Sequence, residues 1–156
     1  MTQARDLADV MGSSGLILPT GSVLQTVTNA TTAAVSSQTN TSAADITNFS
    51  VSITPSSTSS KILVIASSFI SNALSAGVNA TATLTLVRDS TNLAAHSNGA
   101  HSGSGGLQIR DSVSFVELDE PATTSSVTYK VQGHTNSASC AWSISGGEIV
   151  VMEIAG

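Results

Sequence analysis

The sequence predicts an all-β domain, an antiparallel β-sandwich of jelly-roll type, introduced by a short N-terminal arm. Three observations predict it. Apolar and polar residues alternate with a period of two, as Phe49, Val51 and Ile53 do against Asn48, Ser50, Ser52 and Thr54. That period puts one set on each face of a strand. The alternating runs are short, and clusters of Ser, Thr, Gly, Pro and Asn separate them at the spacing of sandwiches and barrels. Finally, 28 Ser and 19 Thr in 156 residues accompany 40% hydrophobic and only 10% charged residues. Thr and Val favour strands, and a chain this hydrophobic with so little charge is not a disordered one. Its length suits one domain with a real core.

Residues 1–21 stand apart as an expected docking arm, before a sandwich domain at 22–156. Ala4, Leu7, Ala8 and Met11 follow the i, i+3, i+4, i+7 spacing of one helix face. Thr2 is placed to cap the start of one or two helical turns, and Gly12 to end them. Gly12 to Gly15 is a flexible tract, and Leu16, Ile17, Leu18 and Pro19 form an apolar plug before Gly21. So short a helix is marginal alone. The arm is therefore expected to dock through Leu7, Met11, Leu16, Ile17 and Leu18, on the domain or on a neighbouring chain.

From Ser22 onward ten strands are expected. Val23–Asn29 and Thr31–Ser36 come first. Ile46–Ile53 follows and ends at Pro55, which has no N–H for a ladder. Beyond a Ser/Thr loop, Lys61–Ser71 is nearly continuously apolar to Phe69, as in a strand covered on both faces. In Ala80–Arg88, Ala82, Leu84 and Leu86 alternate with Thr81, Thr83 and Thr85. Asp89-Ser90 suits a tight hairpin into Asn92–His96. Ser97 to Gly106 reads as a flexible loop before Leu107–Leu118. Asp119-Glu120-Pro121 opens another loop, to Ser125, before Ser126–Gln132. Cys140–Ser145 and Glu148–Ile154 are expected to form a hairpin about Gly146-Gly147. The last strand is apolar on both faces at Ile149 to Met152, which suits a central or interface position.

Composition excludes several functions. The net charge is −5, and the five basic residues are scattered, so no basic stripe exists for phosphates and no nucleic-acid partner is expected. No run is long enough to cross a membrane, and residues 2–10 lack the apolar core of a secretory signal. No membrane partner is expected either. Cys140, the lone cysteine, is expected to be a small buried residue.

Groups suited to chemistry are few. His96, His101 and His134 have no acid or cysteine beside them at ligand spacing and read as solvated loop histidines, so no metal is expected. The Ser/Gly tracts at 12–15 and 102–106 lack the G-x-S-x-G form of a nucleophile elbow. Asp111, Glu117, Asp119 and Glu120 read as loop acids on a solvated rim, not as a glycosidase pair. Trp142 and Tyr129 read as core. No catalytic residue and no cofactor are expected, and the protein is not expected to be an enzyme. Asn29, Asn40, Asn48 and Asn79 head N-x-S/T sequons, close to the number chance supplies in so hydroxyl-rich a chain.

FSVSITPSSTSSKILVIAS, TLVRDSTNLA, DEPATTSSVTYKVQ and the terminal EIVVMEIAG, with the opening TQARDLADVMGSSGLILPTGSVLQTV, resemble a family of tailed-phage virion structural proteins of marine and cyanobacterial phages. The family covers tail-fibre-like and capsid decoration proteins. The resemblance implies a homotrimer of β-sandwiches on the outer surface of the virion, made in the host cytoplasm. Its implied partners are other copies of itself and a major capsid or other virion protein. A decoration (cement) protein would use the arm to hold the capsid. A tail-fibre or receptor-binding head would instead present exposed loops, with His101, Gly103, Glu120 and Pro121 as candidate contacts. The chain lacks the shaft of a long fibre.

Overall fold

The computed structural model describes residues 18–31 and 35–156. They form nine strands: β1 (Val23–Thr31), β2 (Val35–Gln38), β3 (Ala44–Ile53), β4 (Lys61–Leu74), β5 (Asn79–Arg88), β6 (Thr91–His101), β7 (Leu107–Asp119), β8 (Val127–Thr135) and β9 (Cys140–Ile154). No helix occurs among the described residues. The expected helical turns, and with them Leu7, Met11, Leu16 and Ile17, lie outside the described residues.

The strands form two antiparallel sheets. The first runs β1-β9-β4-β7, with β2 also on β9, and the second runs β3-β8-β5-β6. β1 pairs with the far half of β9 and β2 with the near half, so together they act as one interrupted edge strand. From β2 onward every connection crosses between the sheets except the β5–β6 hairpin. This eight-line, two-sheet weave is the jelly roll.

The core lies between the sheets. Phe49, Ile62, Val64, Ile70, Leu84, Leu86, Tyr129, Ile144 and Ile149 are all essentially inaccessible. Trp142 and Cys140 are buried as expected. In β3 the inward set runs Ile46, Phe49, Val51, Ile53. A register shift between Asp45 and Ser50, with Asn48 at φ +61°, lets Ile46 and Phe49 share a face.

Five expectations need correction. The two last strands are one, β9, because both halves pair along the same strand β4. Gly146-Gly147 therefore makes a bulge where a hairpin was expected, and Gly146 takes φ +75°. A Cβ on Gly147 would lie 2.9 Å from the Phe49 ring. The second correction is that Ser97 to His101 is strand, paired with β5, so only residues 102–106 are loop. The three histidines accordingly stand on strands, His96 and His101 on β6 and His134 on β8. Asp111, Glu117 and Asp119 likewise belong to β7 and not to a loop. Finally, β4 is covered on one face only: Leu63 and Ile65 are part-exposed and Phe69 is 39% exposed.

Two polar clasps fasten the sandwich. Arg88 of β5 donates to both carboxylate oxygens of Asp119 on β7, at 2.8 and 2.7 Å, and the Tyr129 hydroxyl of β8 donates to the same group at 2.7 Å. Burial, and then the bond to Asp119, push the tyrosine pKa well up, so the phenol stays a donor. Asp119 thus links the sheets and is no rim acid. The other clasp is Glu153 of β9, only 1% exposed. Its carboxylate accepts from the Ser56 amide (2.7 Å), the Ser56 hydroxyl (2.6 Å) and Gln25 (2.6 Å), which ties the β3–β4 loop to β1 and β9. Burial opposes its ionisation. The bonds from Ser56 and Gln25 outweigh that, helped by the nearby Ser60 hydroxyl, and hold its pKa at about 2.

Gly133 lies against the Trp142 ring, where an added Cβ would come within 2.3 Å. Gly133→Ala is expected to cost about 1–3 kcal/mol by overpacking, read as a lower urea midpoint at unchanged slope. Because the Glu153 pKa is depressed on folding, its stabilisation is full above the ordinary glutamate pKa and fades as pH falls toward about 2. The gap in urea midpoint between wild type and Glu153→Gln should therefore narrow from pH 6 to pH 3.

Candidate interaction surface

The two outer faces of the sandwich differ in chemistry. On the second sheet the outward side chains are mostly polar, and several pair with one another. Asp45 accepts from Gln132 (2.7 Å) and Lys130 (2.9 Å), which together hold its pKa below the usual range. Ser52 meets Thr128 at 2.8 Å, and Thr83 meets Ser97 at 3.0 Å. That is the usual design of a sheet with one wet face.

The first sheet departs from it. Its register sets side chains in transverse rows across β9, β4 and β7. One row is Met152–Leu63–Leu118 and the next is Val150–Ile65–Val116. Ile154 extends the patch beside Lys61, with Val23 paired to it at the corner. Val116 is 64% exposed, Leu118 55% and Val23 53%, and the other apolar members are part-exposed. Single exposed apolar residues are ordinary, but a contiguous set across three strands marks an interaction surface.

The remainder of this face turns polar at the Glu148–Ser67–Ser114 row. Beside the β9 bulge lies a shallow depression of about 480 Å³, lined by Ser67, Ser68, Ser112, Ser114 and Ser145, with Glu148 at one side. Phe69 stands beside it, and Arg110 and Gln108 lie on the ring's other side. An exposed ring among hydroxyls offers stacking with polar contacts around it.

The sequence-predicted contacts fall elsewhere. Leu18 is 39% exposed and precedes a turn in which the Ser22 amide donates to the Pro19 carbonyl at 3.0 Å. Gly21, at φ +88°, donates to Ala155 at 2.8 Å. Leu18 thus precedes the turn that leads into the Val23–Ile154 corner. His101 ends β6, and the Gly103 carbonyl accepts from Gly77 at 2.8 Å. Glu120 and Pro121 follow the opposite end of β7, where Glu120 pairs with Lys61 at 2.7 Å. The structure therefore does not bring the two predicted loop contacts together. His96 lies 3.6 Å from Asp111, and no group of three metal-ligating side chains occurs among the described residues. The apolar patch itself is what sequence reasoning named only in part. Its signal was the unbroken apolarity of β4 and β9, and Val116 and Leu118 alternating with Glu117 and Asp119.

No family model matches the chain, and no curated protein matches it. Solved structures similar to it include the T13 particle of infectious bursal disease virus, at 17% identity and TM-score 0.47, over 91% of this chain and 33% of that one. The VP2 subviral particle of the same virus is similar at 21% identity and TM-score 0.44, over 86% and 34%. Dimeric latent PorU from Porphyromonas gingivalis is similar at 15% identity and TM-score 0.45, over 92% and 14%. The chain spans about a third of the length of the virus chains it matches. Likeness this distant says nothing of function.

If the patch is surface and not core of the sandwich itself, Val116→Ser with Leu118→Ser in the protein without residues 2–17 should shift unfolding free energy by no more than about 0.5 kcal/mol each. Val64→Ser, on the opposite face of β4, should cost about 2 kcal/mol or more. Denaturant titration of the two variants checks the contrast.

Proposed function

We propose that the protein is a phage virion structural protein, a capsid decoration protein that trimerises on the outer capsid surface and is anchored by its N-terminal arm. The observation that carries this reading is the two-faced sandwich, hydroxylated on one sheet and apolar across three strands of the other. Such a domain is built to sit on something and to present a weakly charged, wet exterior. The resemblance of the segments at residues 49–67, 85–94, 119–132 and 148–156 to virion proteins supplies the setting. Burying a patch of roughly 300–600 Å² at about 25 cal/mol per Å² gives on the order of 10 kcal/mol before ordering costs, which adds to the hold of the arm but does not replace it. The major capsid protein is the proposed partner, and the three-fold or quasi-three-fold positions of a capsid suit a trimer. The work asked of the chain is adhesion, so no reaction is assigned to it.

One observation favours a second reading, a receptor-binding head on a tail fibre. Phe69, with the serine-lined depression beside it and Arg110 near, is a surface on which a sugar ring could stack. A glycan array separates the readings, since a decoration protein should bind none.

Deletion of residues 2–17 should leave a folded sandwich that no longer decorates capsids, read by co-sedimentation with virions and by circular dichroism. Full decoration by the truncated protein would overturn the anchoring role. The number of copies per virion decides between sites: hundreds for the capsid, tens or fewer for the tail.

A further inference from the structure

We propose that in the free protein the chain's own residues 1–17 seat on the apolar outer face of the first sheet and cover it until the virion surface displaces them. Three features of the molecule argue for this occupant. The first is where the described chain begins. The turn at Pro19–Ser22, with Gly21 bonded to Ala155, reverses the chain at the corner formed by Val23 and Ile154. The preceding residues therefore set out from the edge of the patch and not from its far side.

The second is reach. Leu63 and Met152 lie three residues along β9 from Ala155, about 10 Å at the rise of a strand. Residues 12–18 can span about 23 Å when extended, which covers that distance and the step of roughly 10 Å from sheet to overlying element. The third is matching size and chemistry. Two rows across three strands make a patch roughly 10–15 Å on a side. A two- or three-turn helix with Ala4, Leu7, Ala8 and Met11 on one face has that length and an apolar stripe to meet it. A second copy is a poorer fit, because a stable interface takes about 800 Å² per partner and the patch turns polar at the Glu148–Ser67–Ser114 row. A tethered segment has the further advantage of an effective concentration in the millimolar range.

The consequence is a self-covering pair. Neither the apolar arm nor the apolar sheet stands in water, and both become available together when a capsid competes for them. The inference concerns the free protein and holds whatever the capsid partner proves to be.

A nitroxide on Asp9→Cys tests it, since Cys140 is fully buried and will not take the label. The methyl signals of Leu63, Val116, Leu118 and Met152 should lose most of their intensity, unchanged on dilution, while that of Thr83 on the other sheet does not. Adding Leu7→Ser and Met11→Ser should restore them. Absence of broadening overturns the proposal. Broadening that appears only when labelled chains are mixed with isotope-enriched unlabelled ones also overturns it, in favour of arms exchanged between copies. Capsid co-sedimentation is scored separately: broadening without capsid binding keeps this inference and sinks the virion reading, and the reverse sinks only this one.

Discussion

The fold depends on the ladder that β4 makes on both of its edges. From Ile62 to Leu74 it pairs residue for residue with β7, and from Lys61 to Leu74 with β9, with a single shift near Ser68. A strand held on both sides over this length fixes the register of three strands at once, and a slip of one residue would turn every side chain to the wrong face. Its inner set, Ile62, Val64, Ala66 and Ile70, must then meet the second sheet. Its outer set, Leu63 and Ile65, must line up with Met152, Leu118, Val150 and Val116. Core and interaction surface are thus two readings of one ladder.

This explains what could be read in the sequence and what could not. Alternation in residues 49–53 and 81–86 put the right side chains inside, because a period of two is local. Pro55 and Asp89-Ser90 ended and turned strands where expected, because their backbone preferences are local too. Gly146-Gly147 misled for the same reason. Two glycines permit a turn or a bulge equally, and the choice was made by β4, some eighty residues away. The glycine- and serine-rich appearance of residues 97–106 hid a strand, to His101, that β5 stabilises by pairing. The acids around residues 111–120 could not be sorted locally either. Asp119 became a structural anchor only because Arg88 and Tyr129 converge on it from the other sheet.

The interaction surface was half legible. An apolar run such as residues 62–66 announces that both faces are covered, but not by what. The inner cover is the second sheet. The outer cover is not supplied by the described part of the chain, and that mismatch between the sequence's expectation and the sandwich is the strongest pointer to a partner. The proposed anchoring and the proposed self-covering arm both answer it, one for the assembled state and one for the free chain.

β7 carries a consequence of its own. It is the outer strand of the first sheet, thirteen residues long, and pairs on one side only with β4. Long edges of this kind recruit other strands into open-ended stacks. Its inward positions hold Asp111, Glu117 and Asp119 among Val113 and Phe115. A second sheet edge arriving there would have to strip Asp111 and Glu117 of water, Asp119 being held already by Arg88 and Tyr129. Edge-to-edge pairing of two copies through β7 is thereby disfavoured.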